Sequence, residues 1–171
     1  GKPQSIETFA LGDDAVVPRS IVLIMDYSVS QLPYIVTSVE AAKSLVDQLN
    51  PRDKMALVTD DIELLTGFTQ DKKLLKDKLE NLKQKALTGQ VGKSEQYSAL
   101  YATLNEIFTA EDVRPIVFFQ TDGDEDYALK NSRILSDANL PERKFSYEDV
   151  LTAAEKARAT IYAIAPGANF K

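Results

Sequence analysis

The chain of 171 residues contains no cysteine and no histidine. Without cysteine there are no disulfides, no thiolate nucleophile and no thiolate-held metal. Compartment is not legible from that absence, because reducing and oxidising locations both tolerate cysteine-free domains. Without histidine, Ser-His-Asp machinery, imidazole acid–base chemistry and histidine-ligated zinc are all excluded. A metal bound here must be held by oxygen, which selects Mg²⁺, with Mn²⁺ or Ca²⁺ as the alternatives. A basic stripe is missing too. The 20 Lys and Arg and 26 Asp and Glu give a net charge of −6 and are scattered, so no nucleic-acid partner is expected. Long hydrophobic runs are also absent. The longest, such as Ile21 to Met25 and Ile116 to Phe119, are strand-sized, so this segment is not expected to insert into a membrane.

What remains is ordinary globular composition, 44% hydrophobic and 27% charged, enough for one domain with a sizeable core. Residues 1–19 read as an extended N-terminal segment, the remnant of an upstream region. Ser20 to Asp26 is a continuous apolar run ending in an acid, the mark of a strand buried on both faces. From Leu32 the period becomes helical, with Ile35, Val36, Val39, Ala42, Leu45, Val46 and Leu49 on one stripe. Pro33 sits in the first turn and Asn50-Pro51 ends the helix. Lys54 to Thr59 and Ile62 to Thr66 are predicted as an antiparallel hairpin turning at Asp60-Asp61. Thr69 and Asp71 open a helix with Leu74, Leu75, Leu79 and Leu82 inward, followed by a polar stretch from Lys83 to Lys93. Another helix carries Tyr97, Leu100, Tyr101, Leu104, Ile107 and Phe108. Pro115 to Thr121 is a second buried strand. Ser146 to Asp149 resembles a capping box before a helix, and Thr160 to Ala165 is the last strand. This order predicts an α/β fold: a Rossmann-like, doubly wound, mostly parallel sheet with one antiparallel edge strand and helices on both faces.

In such sheets ligands sit beyond the carboxyl ends of the strands. Asp26 and Asp122 end the two buried strands. Asp26-Tyr27-Ser28-Val29-Ser30 places an acid and two hydroxyls at alternate positions, able to converge on one point in an extended turn. Such oxygens suit a hard cation and leave a coordination position open. The same residues also admit a plainer reading, with Ser28 or Ser30 capping the next helix and Asp26 bonding backbone amides.

Asp26-Tyr27-Ser28-Val29-Ser30 with Thr121-Asp122-Gly123 resembles the metal-ion-dependent adhesion site of von Willebrand factor type A domains. Asn50-Pro51-Arg52-Asp53, Glu63 to Asp71, Tyr97 to Tyr101 and Ile161 to Ile164 follow in family order. The opening Gly1 to Gln4 with Ile6 and Phe9 is similar to a bacterial, especially acidobacterial, subgroup. The resemblance implies a domain over 20–171 that lacks the family's last strand and helix. It implies Asp26, Ser28 and Ser30 as first-loop metal ligands and Asp122 as the third-loop ligand. The family's second-loop threonine is matched by Ser94, with Thr88 as the fallback, and Gly92 lies two residues early. Residues 124–145 look like an insertion of about 20 residues, longer than usual connections.

The function implied is a non-enzymatic protein-binding module whose cation engages a Glu or Asp of a partner, located outside the cytoplasm. Two other readings stay open. One is an interaction domain of the same fold without a working metal. The other is a Mg²⁺-dependent phosphoryl-transfer hydrolase with Asp26 as nucleophile, although Ser28 stands where such enzymes carry a second acid.

Overall fold

The computed structural model describes residues 18–109, 114–123 and 145–166. Most of the expected N-terminal segment (1–17) and nearly all of the expected insertion (124–144) lie outside the described residues.

Five strands form one sheet in the order β3-β2-β1-β4-β5. Strand β1 (Ser20–Met25) lies at its centre with all six residues buried. It pairs in parallel with β2 (Lys54–Thr59) on one side and β4 (Pro115–Gln120) on the other, and β4 pairs in parallel with β5 (Thr160–Ile164). Strand β3 (Leu64–Thr69) is the antiparallel edge against β2. A strand with neighbours on both edges and helices on both faces has no solvated side, so its sequence is apolar throughout rather than alternating.

Alternation survives in which layer each side chain meets. Ile21, Leu23 and Met25 join Met55 and Leu57 beneath α1 (Ile35–Asp47) and α2 (Lys72–Leu87). Val22 and Ile24 join Ala56, Val58, Val117 and Phe119 beneath α3 (Gln96–Ala102) and α4 (Tyr147–Ala157). An apolar groove of about 280 Å³, lined by Leu23, Ala42, Leu45, Phe118, Gln120 and Ile164 among others, runs between α1 and the β4–β5 side.

The helix ends follow local chemistry. Asp71 caps α2 by accepting from the Leu74 N–H at 3.0 Å. Ser146 and Asp149 form the reciprocal capping box that their spacing predicts. Helix α4 stops at Arg158, whose φ of 53° is left-handed. Lys72 donates to the Asp47 and Leu49 carbonyls, both at 2.8 Å, and so closes the end of α1.

Four expectations need correction. The predicted helix from Leu32 begins instead as a 3-10 turn over Val29–Tyr34, and regular helix starts at Ile35. Pro33 inside that turn has no N–H to give and a fixed φ, which suits the tighter winding. Strand β3 starts at Leu64 rather than Ile62, because the turn takes up Asp60 to Glu63 and holds Ile62 at a φ of 70°. Helix α2 runs through Lys83 to Leu87, since Ala86 continues its buried stripe. The helix after Gln96 passes at Thr103–Ile107 into a π turn, while Leu100, Leu104, Ile107 and Phe108 still meet the same core layer.

Asp53 ties the start of β1 to the start of β2. Its buried carboxylate accepts from the Arg19 guanidinium, the Arg19 N–H at 2.9 Å and the Asn50 N–H at 2.9 Å. Burial alone would push this carboxyl up, but those hydrogen bonds hold it below the usual carboxylate value. A depressed folded pKa means stability that is present above the unfolded value and lost as pH falls through the folded one. Asp53→Asn should therefore be less stable than wild type at neutral pH, with the gap in urea midpoints closing as pH drops below about 4. For the core, Leu79→Ala at a fully buried position should cost about 2–5 kcal/mol in denaturant melts. Leu87→Ala on the exposed face of the same helix should fall within about 0.5 kcal/mol of wild type.

Candidate metal centre

Register decides which side chains meet at the top of the sheet. Met25 pairs with Thr59 on one side and Gln120 on the other. The next rung therefore places Asp60, Asp26 and Thr121 side by side. Hydrogen bonds carry the sheet across that rung: the Asp26 N–H donates to the Gln120 carbonyl at 3.0 Å, and the Asp60 N–H to the Met25 carbonyl at 3.1 Å. Strand order reverses direction at β1, with β2 on one side and β4 on the other, and a crevice is expected beyond the carboxyl ends at such a switch.

Asp26 is fully buried at the floor of this crevice. Its Oδ1 accepts from the Ser28 N–H at 3.0 Å and from Ser28 Oγ at 2.6 Å. Its Oδ2 accepts from Thr121 Oγ1 at 3.0 Å and from Gln96 Nε2 at a long 3.5 Å. Ser28 Oγ lies 3.1 Å from Ser30 Oγ, and Gln96 Nε2 also donates to Ser94 Oγ at 3.2 Å. Four predicted residues are thus linked through a short chain of polar contacts: Asp26, Ser28, Ser30 and Ser94.

Ser28 occupies the cap position of the Val29–Tyr34 turn, yet its side chain makes no capping bond. Its hydroxyl faces Asp26 and Ser30 instead, which disfavours the capping interpretation. The third loop is tied to Asp26 by Thr121, and the half-buried Asp122 follows one residue beyond. Thr88, the fallback for the second loop, is exposed at the end of α2. Its hydroxyl donates to the Gln84 and Lys85 carbonyls at 3.0 and 2.9 Å, so it caps the helix.

Three residues of the centre were not singled out from sequence. Gln96 bridges the first and second loops, but a glutamine at a helix start carries no special signal. Thr121 entered only as the end of β4 and as part of the third-loop match Thr121-Asp122-Gly123, without a role of its own. Asp60 was read as half of a surface turn. It is fully buried, its Oδ1 accepts from the Tyr27 N–H at 3.3 Å, and its Oδ2 has no donor among the described residues. Burial, with the charge of Asp26 beside it, pushes its carboxyl up to about 9. Its signal in the sequence was position: it directly follows the apolar strand that neighbours β1.

Tyr27 locks the first loop from behind. Its ring is buried, its hydroxyl donates to Asp61 at 2.8 Å, and Lys85 donates to that hydroxyl at 3.2 Å while pairing with Glu63 at 2.8 Å. Burial and the neighbouring Asp61 raise the phenol to about 12. The ring also fills the space a side chain at residue 92 would need: a Cβ on Gly92 would lie 2.5 Å from Tyr27 Cε1. The early glycine of the second loop therefore has a local purpose, letting that loop close onto Tyr27 two residues before Ser94.

The donor set fits a hard cation. Two buried carboxyls, Asp26 and Asp60, lie together, and the groups that bond them are hydroxyls and amides, with no ammonium or guanidinium among them. Both carboxyls can be ionised together only if a positive charge joins them; without one, burial keeps the proton on Asp60. Among the described residues no three His, Cys, Asp or Glu side chains cluster as a metal cage. A cation here would thus be held by a mixture of carboxylate and hydroxyl oxygens.

No family model and no curated protein sequence matches the chain. Solved structures do. The vWF domain of the type V pili tip protein Mfa5 from Porphyromonas gingivalis superposes with a TM-score of 0.54 at 19% identity, over 64% of this chain and 39% of that one. Proximal thread matrix protein 1 from the mussel byssus, in a structure with a zinc-occupied MIDAS motif, gives 0.60 at 17% identity, over 91% and 39%. BatB from Bacteroides thetaiotaomicron gives 0.57 at 20% identity, over 86% and 65%. The chain thus spans about two-fifths of the first two structures. At these identities the likeness concerns the fold, and the chain has the fold of a von Willebrand factor type A domain. The narrower acidobacterial resemblance gains no support from these structures.

The clasp between Tyr27 and Gly92 is open to test. Gly92→Ala should cost about 1–3 kcal/mol in urea melts, because a buried, doubly hydrogen-bonded ring cannot move aside freely. In the double variant Tyr27→Leu/Gly92→Ala the losses should sum to less than the two separate costs.

Proposed function

We propose that this domain is a non-enzymatic binding module that carries one divalent cation on Asp26, Ser28, Ser30 and Ser94, with Asp122 bound directly or through water. The carrying observation is the orientation of Ser28, whose hydroxyl forgoes its helix cap to join Ser30 and Asp26. Mg²⁺ is the first candidate, with Mn²⁺ or Ca²⁺ as alternatives, since all the donors are hard oxygens. When bound, the cation supplies a Lewis-acidic position open to an outside oxygen. The protein residues hold the floor and leave the rim accessible: Asp26 is fully buried, Ser28 is 6% exposed, and Ser30 is open to solvent. Two carboxylates and three hydroxyls supply at most five oxygens and leave an octahedral ion short of a ligand, for which a Glu or Asp carboxylate of a partner protein is the favoured completing group.

Burial of Asp26 also argues against its acting as a phosphoryl acceptor, because a nucleophile must reach its substrate. Ser28 stands where a hydrolase would place its acid. A role at a cell surface or in an extracellular matrix is supported by the settings of the similar structures, a pilus tip and a mussel byssus. Among the described residues no helix is long and apolar enough to cross a membrane.

Thermal melts with Mg²⁺, Mn²⁺, Ca²⁺ or chelator test this reading. A cation at 100 times its dissociation constant should add about 2.7 kcal/mol of stability. Asp26→Ala should remove that increment. A wild-type protein indifferent to all three cations would favour a domain of this fold without a metal. Turnover of an aryl phosphate that is lost in Asp26→Ala would favour the hydrolase.

A further inference from the structure

We infer that Asp60 is a working part of the cation site, a buried carboxylate beside Asp26 that adds a second negative charge to the floor of the crevice. This rests on the cation reading above and extends it to a fourth loop, the turn between β2 and β3, which neither the first-loop motif nor its family resemblance includes.

Asp60 is where a turn residue should not be. Ile62 and Glu63 of the same turn are exposed, while Asp60 is turned fully inward. That inward path is accompanied by a left-handed backbone at Ile62, a conformation unfavourable for a β-branched side chain. The hydrogen bonds that Asp60 makes do not account for its charge. Its Oδ1 accepts one neutral N–H, from Tyr27 at 3.3 Å, and asparagine would serve that bond equally. Its Oδ2 has no donor among the described residues, and the strand register with the bond from the Tyr27 N–H sets this carboxyl beside Asp26. A buried acid beside another acid, without a base, keeps its proton unless something positive joins the pair, so the site is built to take up a cation in exchange for that proton. A divalent cation matches the pair in charge.

Placement reinforces the argument. The Asp60 N–H donates to the Met25 carbonyl at 3.1 Å, and the Asp60 carbonyl accepts from the Glu95 N–H at 3.2 Å. The residue is therefore pinned to the base of the first loop and to the position next to Ser94 on the second. A purely structural residue at this junction would need its backbone and one neutral acceptor. The ionisable group is surplus to that role.

Mn²⁺ titrations followed by electron paramagnetic resonance of the free ion provide a readout independent of stability. Asp60→Asn keeps the shape and the acceptor for Tyr27, and should weaken Mn²⁺ binding by about 10–100-fold. Its melting temperature in chelator should equal or exceed that of wild type. Asp77→Asn removes the same charge from the exposed face of α2 and should leave the affinity unchanged. Should Asp60→Asn fail to fold, Asp60→Ser asks the same question with a smaller acceptor. Wild-type affinity in a folded Asp60 variant, alongside binding lost in Asp26→Ala, would overturn the inference and leave the cation reading standing. Absence of Mn²⁺ binding in the wild type would overturn both.

Discussion

The register of β1 between its two parallel neighbours is the constraint on which the crevice depends. Six consecutive buried residues leave β1 no freedom to slide, because a slip by one would exchange every side chain between the two core layers. The pairing of Met25 with both Thr59 and Gln120 then determines what stands one residue later. Three polar residues reach the same level at the point where the strands stop being covered. Apolar packing some distance below thus positions the polar chemistry above, and the precision of the floor comes from the sheet rather than from the loops.

The loops add a second level of order through Tyr27. Its main-chain N–H meets Asp60, its ring packs against Gly92, and its hydroxyl sits between Asp61 and Lys85. One side chain inside the first-loop motif therefore touches both the β2–β3 turn and the second loop. The motif is usually read by its acid and its two hydroxyls, with the intervening positions as spacers. Here the first spacer anchors three segments, while the second, Val29, is 66% exposed at the rim. Strict alternation would put both spacers on one side; they part because the chain leaves the extended conformation at Val29, where the 3-10 turn begins.

Much of this was legible in the sequence because it follows from periodicity. The unbroken apolar runs marked β1 and β4, the 3.6-residue stripes marked α1 and α2, and the Ser146–Asp149 spacing marked the start of α4. The first-loop ligands were legible because they lie within five residues and their geometry is local. The parts that escaped depend on contacts distant in sequence. Asp60 looks like any acid in an Asp-Asp turn until β2 is laid beside β1, 33 residues away from the Tyr27 N–H it accepts. Gln96 and Thr121 meet Asp26 across separations of 70 and 95 residues. Gly92 seemed out of register because the motif counts along the chain, whereas its role is set by a ring approaching from another loop.

The arrangement of burial also supports the proposed binding role over turnover. At the floor, where Asp26 and Asp60 are excluded from water, electrostatic interactions are strong and a cation would be gripped by charge. Toward the rim the donors become neutral hydroxyls and exposure rises through Ser28 to Ser30. A fixed ion presented this way is deep enough to hold and shallow enough for a carboxylate to reach. Catalysis of phosphoryl transfer would ask for the reverse, an accessible nucleophile with an acid beside it at the surface. In this crevice Asp26 and Asp60 lie underneath, Asp122 is half-buried on the third loop, and Ser30 is the hydroxyl open to solvent. The fold by itself hosts either chemistry; the burial of Asp26 beneath the first-loop hydroxyls is what favours the proposed binding role.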